Sequence, residues 1–130
     1  MTYLKQWRYV WALPATFLGL LLAALALRGG RVRVKDGVVE AHGPWLRWAL
    51  TTCVPLPRGA AAITLGHVVL GQSAHALAHT RAHERVHVRQ YERWGVFLLP
   101  AYLIASLYAA LSGGHYYYDN AFEREASAAG

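Results

Sequence analysis

Cysteine is almost absent from this chain: Cys53 stands alone in 130 residues. A single thiol rules out an internal disulfide, and a cysteine-based zinc site goes with it. Any metal must then be held by His, Asp or Glu. Charge is scarce as well. Charged residues make up 15% of the chain and hydrophobic ones 55%, where soluble proteins carry about a quarter charged. Mean hydropathy is positive. That balance points toward a membrane, and the length allows one domain at most. The net charge is +6, which suits nucleic acid or anionic lipid. Lipid fits better, because Arg and Lys flank apolar runs instead of interleaving with stacking aromatics on strands. No nucleic-acid partner is expected, and no internal repeat stands out.

Two long stretches lack charge. Residues 9–27, YVWALPATFLGLLLAALAL, are uncharged throughout, with Lys5 and Arg8 before them and Arg28 after. An α-helix crosses a bilayer with about 20 apolar residues, and Trp7, Tyr9 and Trp11 suit one interface. A secretory signal peptide is the rival reading, since Ala24-Leu25-Ala26 fits a small-residue cleavage pattern. The retained anchor is preferred, as residues 1–28. The second run, GVFLLPAYLIASLYAALSGG over 95–114, holds Pro100 in its first turn or at a kink. Gly113-Gly114 closes it.

Between these runs the pattern turns to strands. Arg31, Arg33 and Lys35 alternate with Val32 and Val34, Asp36-Gly37 is a hairpin signal, and Val38-Val39 resume the apolar pattern. Residues 44–57 read as a short amphipathic element that leaves through a loop at Pro55 and Pro57. Residues 61–71, AAITLGHVVLG, read as a strand with His67 in it. The expected fold is an α+β membrane protein. Its parts are an N-terminal transmembrane helix and, over 29–130, a minimal domain of strands within 31–71 forming a small antiparallel sheet, a helix over 72–94, a second membrane-associated helix over 96–112, and a short C-terminal helix over 119–127.

Residues 72–94 lack both proline and glycine, and Gln72 or Ser73 offers a helix cap. Within them His75, His79, His83 and His87 recur every fourth residue. On a helix this is a slanting stripe about 18 Å long, so neighbours can share a metal but the whole stripe cannot. Only one pair has glutamate directly after its first histidine: His83-Glu84-Arg85-Val86-His87. This HExxH pattern sets two imidazoles on one face with a carboxylate beside them as general base. A catalytic zinc needs a third protein ligand, and the C-terminal segment offers Glu123 and Glu125. Their plain alternative is solvent-facing charge. Asp119 or Asn120 caps that segment, with Glu123 three residues after Asn120 as in a capping box.

These motifs resemble the gluzincin metallopeptidases, and more narrowly their membrane-embedded branch of CAAX prenyl proteases and heat-shock membrane proteases. That branch carries Glu-x-x-Ala-Asp downstream of HExxH. Glu123-Arg124-Glu125-Ala126 matches, and Ser127 departs where the branch has Asp, which leaves Glu125 as an alternative metal ligand. The resemblance covers residues 61–127. It implies a zinc-dependent integral-membrane endopeptidase with one Zn2+ per chain on His83, His87 and Glu123, and with Glu84 as the base. It also implies a peptide or membrane-protein substrate bound along strand 61–71 by β-augmentation. Asn120, His115, Tyr116, Tyr117 and Tyr118 are candidates for stabilising the transition state, and His79 for a supporting place beside the ligands; for His79 and His75 the polar face of a partly exposed helix is the simpler account. His67 reads as a strand residue.

Arg81, Arg85, Arg89 and Arg93 form a second stripe, suited to lipid phosphates or to solvent. With Arg28, Arg31, Arg33 and Lys35 they favour a cytoplasmic placing of this region at the cell inner membrane. Residues 96–112 reach about 25 Å as a helix. A full crossing would strand Glu123 opposite the histidines, so Glu123 as ligand requires that helix to be tilted, partly inserted or packed on the first anchor. Two other readings compete: a non-catalytic membrane metal- or haem-binding protein, and a basic membrane-surface adaptor in which HExxH is accidental.

Overall fold

The computed structural model describes residues 9–54 and 59–129. The expectations placed on Lys5, Trp7, Arg8, Pro55 and Pro57 lie outside them. The chain is α+β, with a small four-stranded mixed sheet and one long apolar helical run.

Two hairpins build the sheet. Strands β1 (Arg31–Lys35) and β2 (Val38–His42) pair antiparallel from Arg31↔His42 to Lys35↔Val38. Asp36 and Gly37 both take positive φ, 53° and 77°, the two-residue turn that Asp-Gly favours. Residues 61–71 are a hairpin and not the single strand expected: β3 (Ala62–Leu65) and β4 (Val68–Gly71) reverse at Gly66-His67. Gly66 has φ 61°, and a Cβ there would run into Thr16. β2 and β4 pair in parallel, giving the order β1-β2-β4-β3. The sheet is therefore mixed, where an all-antiparallel one was expected. The reason is the connection after β2, which crosses over and brings the second hairpin in beside β2 through β4.

That connection holds helix α2 (Pro44–Thr52), with Pro44 in its first turn, Leu46 and Leu50 buried and Trp45 and Trp48 exposed. The ambiguous amphipathic stretch is thus a helix. Helix α1 (Leu13–Ala23) lies along one face of the sheet on a stripe of small residues, Ala15, Gly19 and Ala23. A Cβ at Gly19 would sit 2.7 Å from that of Val68, so glycine sets how closely helix and strand approach. The outward face of α1, including Phe17 and Leu21, is exposed. Helix α1 runs on into a 3-10 turn at Ala24–Leu27. It is a shorter apolar helix docked on the sheet.

Helix α3 (Ala74–Trp94) covers the opposite face. Ser73 caps it, its Oγ accepting from the Ala76 N–H at 3.1 Å. After a tighter turn at Gly95–Phe97, helix α4 (Leu98–Leu111) follows, with Pro100 in its first turn. Together Ala74–Leu111 form a helical run long and apolar enough to cross a membrane; α4 is its apolar part. Helix α5 (Ala121–Ala129) then returns to pack on α3. Asn120 caps it through its Oδ1, which accepts from the Phe122 N–H at 2.9 Å.

Three apolar clusters hold these layers. One joins Ala23, Ala26, Ala41, Leu46, Val68 and Leu70 beneath α1 and α2. A second joins Val38, Ala62, Val69, Leu77 and Val88 beneath α3. A third links Ala12, Ala15, Tyr91 and Leu98, with Phe122 against it. Truncating a buried leucine such as Leu70 to alanine costs roughly 2–5 kcal/mol. A buried charge cluster adds register. Glu40 of β2 accepts from Arg81 Nε and Nη2 and from Arg85 Nη2, each at 3.0 Å. Two members of the arginine stripe are therefore engaged with the sheet.

Candidate metal centre

The helical spacing brings His83 and His87 to one face of α3, one turn apart, with ring centroids 5.0 Å apart. α5 supplies the third group. Glu123 Oε1 lies 3.1 Å from His83 Nε2 and 3.0 Å from His87 Nε2. One ligand atom from each of the three residues falls within 4.8 Å of the others. Zn–N and Zn–O bonds of about 2.0–2.1 Å in a tetrahedron put ligand atoms about 3.3 Å apart, so the donor set and its spacing fit a small divalent cation. Glu123 is 5% exposed, and a carboxylate buried against two imidazoles is otherwise costly. Burial pushes its pKa up, but the hydrogen bonds from His83 and His87 prevail and hold it at about 2. His87 moves the other way. Burial favours its neutral form, and Glu123 outweighs this and raises its pKa.

Further polar groups fix the ligands. Gln90 Oε1 lies 2.8 Å from His87 Nδ1. With the amide oxygen accepting from Nδ1, Nε2 is the ring nitrogen turned to the cluster, the orienting arrangement of metal-binding histidines. The Gln90 Nε2 donates to Phe122 O at 3.0 Å and to Glu125 Oε1 at 2.7 Å, so one side chain both sets a histidine and docks α5. Tyr102 of α4 donates to Glu123 Oε2 at 2.6 Å. Glu123 thus leaves the capping-box role and turns to the histidines. Glu125 meets Gln90 and, at 3.9 Å, Arg93, so it is no part of the cluster.

Glu84 is 5% exposed. Burial raises its pKa above the ordinary carboxylate range, against the opposing pull of His87 and of Thr64. The Thr64 hydroxyl of β3 donates to Glu84 Oε2 at 2.6 Å. Glu84, His87 and Glu123 share the wall of one cavity of about 380 Å³. Tyr116 and Tyr117 reach the same cavity. Burial and the carboxylates of Glu123 and Glu84 push the Tyr117 phenol up, so it remains an O–H donor.

Other expected residues are elsewhere. Asn120 is fully buried and spent on structure, its Nδ2 donating to Tyr102 O and Ser106 Oγ at 3.0 and 2.8 Å. His115 Nδ1 accepts from the Tyr117 and Tyr118 N–H groups within the turn after α4. Tyr118 is exposed. His79 stacks on His75 at 6.0 Å on the exposed start of α3. His67 sits in the β3–β4 turn, its Nε2 2.8 Å from Glu92 Oε2 and its ring stacked on Tyr9. Gln90, Tyr102 and Thr64 were missed from the sequence. Gln90 had a signal: it lies three residues after His87, on the same helix face.

No protein-family model matches the chain, and no curated protein or solved structure matches it either. Likeness to the gluzincins therefore rests on the motif residues alone.

Proposed function

We propose that the chain is a zinc-dependent integral-membrane endopeptidase. One observation carries this reading: the convergence of His83, His87 and Glu123, with the buried carboxylate of Glu84 on the same cavity wall. His83, His87 and Glu123 hold the ion. Zinc in that position would supply a Lewis acid that lowers the pKa of a water molecule and polarises the scissile carbonyl.

The chain's own groups do the rest. Glu84 accepts the proton of the attacking water and passes it to the leaving amine; its raised pKa brings it closer to the neutral range where such transfer is efficient. Thr64 holds Oε2 of that carboxylate and leaves Oε1 to act. Tyr117 donates to the oxygen of the developing tetrahedral centre. β3 is an edge of the sheet and offers its backbone to an extended substrate. Leu103, Ile104, Leu107, Tyr108 and Leu111 of α4 are exposed, which supports contact with a bilayer. The cell inner membrane, with the site near its cytoplasmic face, is the setting that the basic residues favour. The geometry of α4 supports a partly inserted hairpin: its 14 residues reach about 21 Å, and the chain turns back so that α5 packs on α3.

Purified protein tests this directly. Elemental analysis should find about one zinc per chain, and Glu84→Gln should abolish cleavage of a peptide substrate with zinc retained. Hydrolysis unchanged by Glu84→Gln would end the enzyme reading.

A further inference from the structure

A carboxylate offers a metal two equivalent oxygens, and one that binds through both fills a position that a hydrolytic centre keeps for water. What the second oxygen meets therefore decides how the ligand serves. Both buried carboxylates of this site meet a hydroxyl. Thr64 Oγ1 donates to Glu84 Oε2, and Tyr102 Oη donates to Glu123 Oε2, each at 2.6 Å. That length belongs to the strong class of O–H···O⁻ bonds, about 2.5–2.7 Å. Glu123 Oε1 is left facing His83 Nε2 at 3.1 Å and His87 Nε2 at 3.0 Å. The two oxygens of one side chain have separate partners, the α3 imidazoles on one side and a phenol on the other.

Tyr102 is held in place for this bond. It lies on α4, whose other side chains are largely apolar. Asn120 Nδ2 donates to its backbone carbonyl at 3.0 Å and to Ser106 Oγ, one turn further along, at 2.8 Å. Its ring stacks on that of Phe122, with centroids 6.3 Å apart. Asn120 and Phe122 stand at the start of α5, three residues and one residue before Glu123. The segment that carries the ligand grips the tyrosine at its backbone and its ring, and the tyrosine's hydroxyl reaches back to the ligand. Tyr108, on the same helix, is 73% exposed, so a tyrosine in α4 does not meet the carboxylate by default. A partner whose rotamer is already fixed by packing makes a ligand's geometry reproducible.

We infer that Tyr102 is the positioning residue for the third ligand: it holds Glu123 Oε2 so that Oε1 alone is offered to the ion, and a coordination position stays open. The inference rests on the zinc reading and adds what keeps that centre open. Tyr102 acts through Glu123 alone.

Full-length protein in detergent, stripped of metal and reloaded with cobalt(II), tests this, because the visible absorption of cobalt weakens and shifts when its coordination rises from four to five. Tyr102→Phe keeps the ring against Phe122 and removes the hydroxyl. Its cobalt spectrum should be weaker than that of the unmodified protein and displaced from it. Its zinc affinity, measured by chelator competition, should fall about 10- to 100-fold. Ser106→Ala removes a bond between the same two segments and leaves the hydroxyl, so its cobalt spectrum should coincide with the unmodified one. A Tyr102→Phe spectrum that coincides with the unmodified one would overturn the assignment and leave the metal centre standing. An equal displacement in Ser106→Ala, or loss of helical circular dichroism in Tyr102→Phe, would overturn it too, by reducing Tyr102 to a tie between α4 and α5. Failure of the unmodified protein to take up cobalt or zinc would remove the centre, and the assignment with it.

Discussion

The two ends of the histidine stripe on α3 share a spacing and nothing else. His75 and His79 stack on each other at the exposed start of the helix. His83 and His87 have the same four-residue separation, yet they meet Glu123 at 3.1 and 3.0 Å. The helix gives both pairs the geometry to share an ion. Only the second pair lies where α5 returns and where β3 and Glu40 of β2 clasp the helix. A chelating pair becomes a centre through what is packed over it, and here that comes from distant parts of the chain.

The contrast can be broken or sharpened by substitution. The largest effect should follow Glu84→Gln, which leaves the inner pair its ligands and removes its chemistry: peptide hydrolysis falls by at least about 100-fold, read against unchanged zinc content. Glu123→Ala should make the inner pair resemble the outer one. Its zinc affinity, measured by competition with a chelator, should drop by more than the roughly 100-fold typical of a lost outer partner.

Glu40→Gln should loosen the clasp on the inner half, because Arg81 and Arg85 lose the charge they surround, at a cost of about 3 kcal/mol in denaturation experiments. The same pair predicts a pH response. Burial raises the Glu40 pKa, and the arginines more than reverse this, so it lies below the usual value in the folded chain. Its contribution is then complete above the unfolded carboxylate value of about 4.3 and is lost as pH falls through the lower folded value. The acid limb of the stability curve should flatten in Glu40→Gln. Gln90→Ala should weaken zinc binding by about 10- to 100-fold and loosen α5 as well, visible as faster amide exchange there. The smallest effect belongs to the outer pair: His75→Ala with His79→Ala should leave zinc stoichiometry and hydrolysis unchanged.

The parts of this fold that short-range chemistry dictates were legible in the sequence. Asp36-Gly37 announced its turn, the uninterrupted 72–94 stretch its helix, and HExxH its pair of imidazoles. The β3–β4 hairpin was not, because Gly66 inside an apolar run of β-branched residues looks like strand until Thr16 is seen pressed against it. The parallel pairing of β2 with β4 depends on a crossover that no local pattern records. Glu123 was the preferred ligand through its Glu-x-x-Ala match, with Glu125 as the alternative, and what holds Glu125 away from the cluster, Gln90 and Arg93 of α3, is tertiary. Thr64 and Tyr102 reach the site from a strand and an apolar helix whose partners are fixed by tertiary packing.

One more consequence follows from the way α5 closes the site. The contacts that join Glu123 to His87 and His83 span 36 and 40 residues, with the whole out-and-back path of α4 between them. Helices form locally and fast, whereas contacts of long sequence separation come late. A folding chain therefore displays its two imidazoles well before it owns the carboxylate that completes them. On the peptidase reading, the molecule remains harmless to its own extended backbone until that backbone is no longer extended.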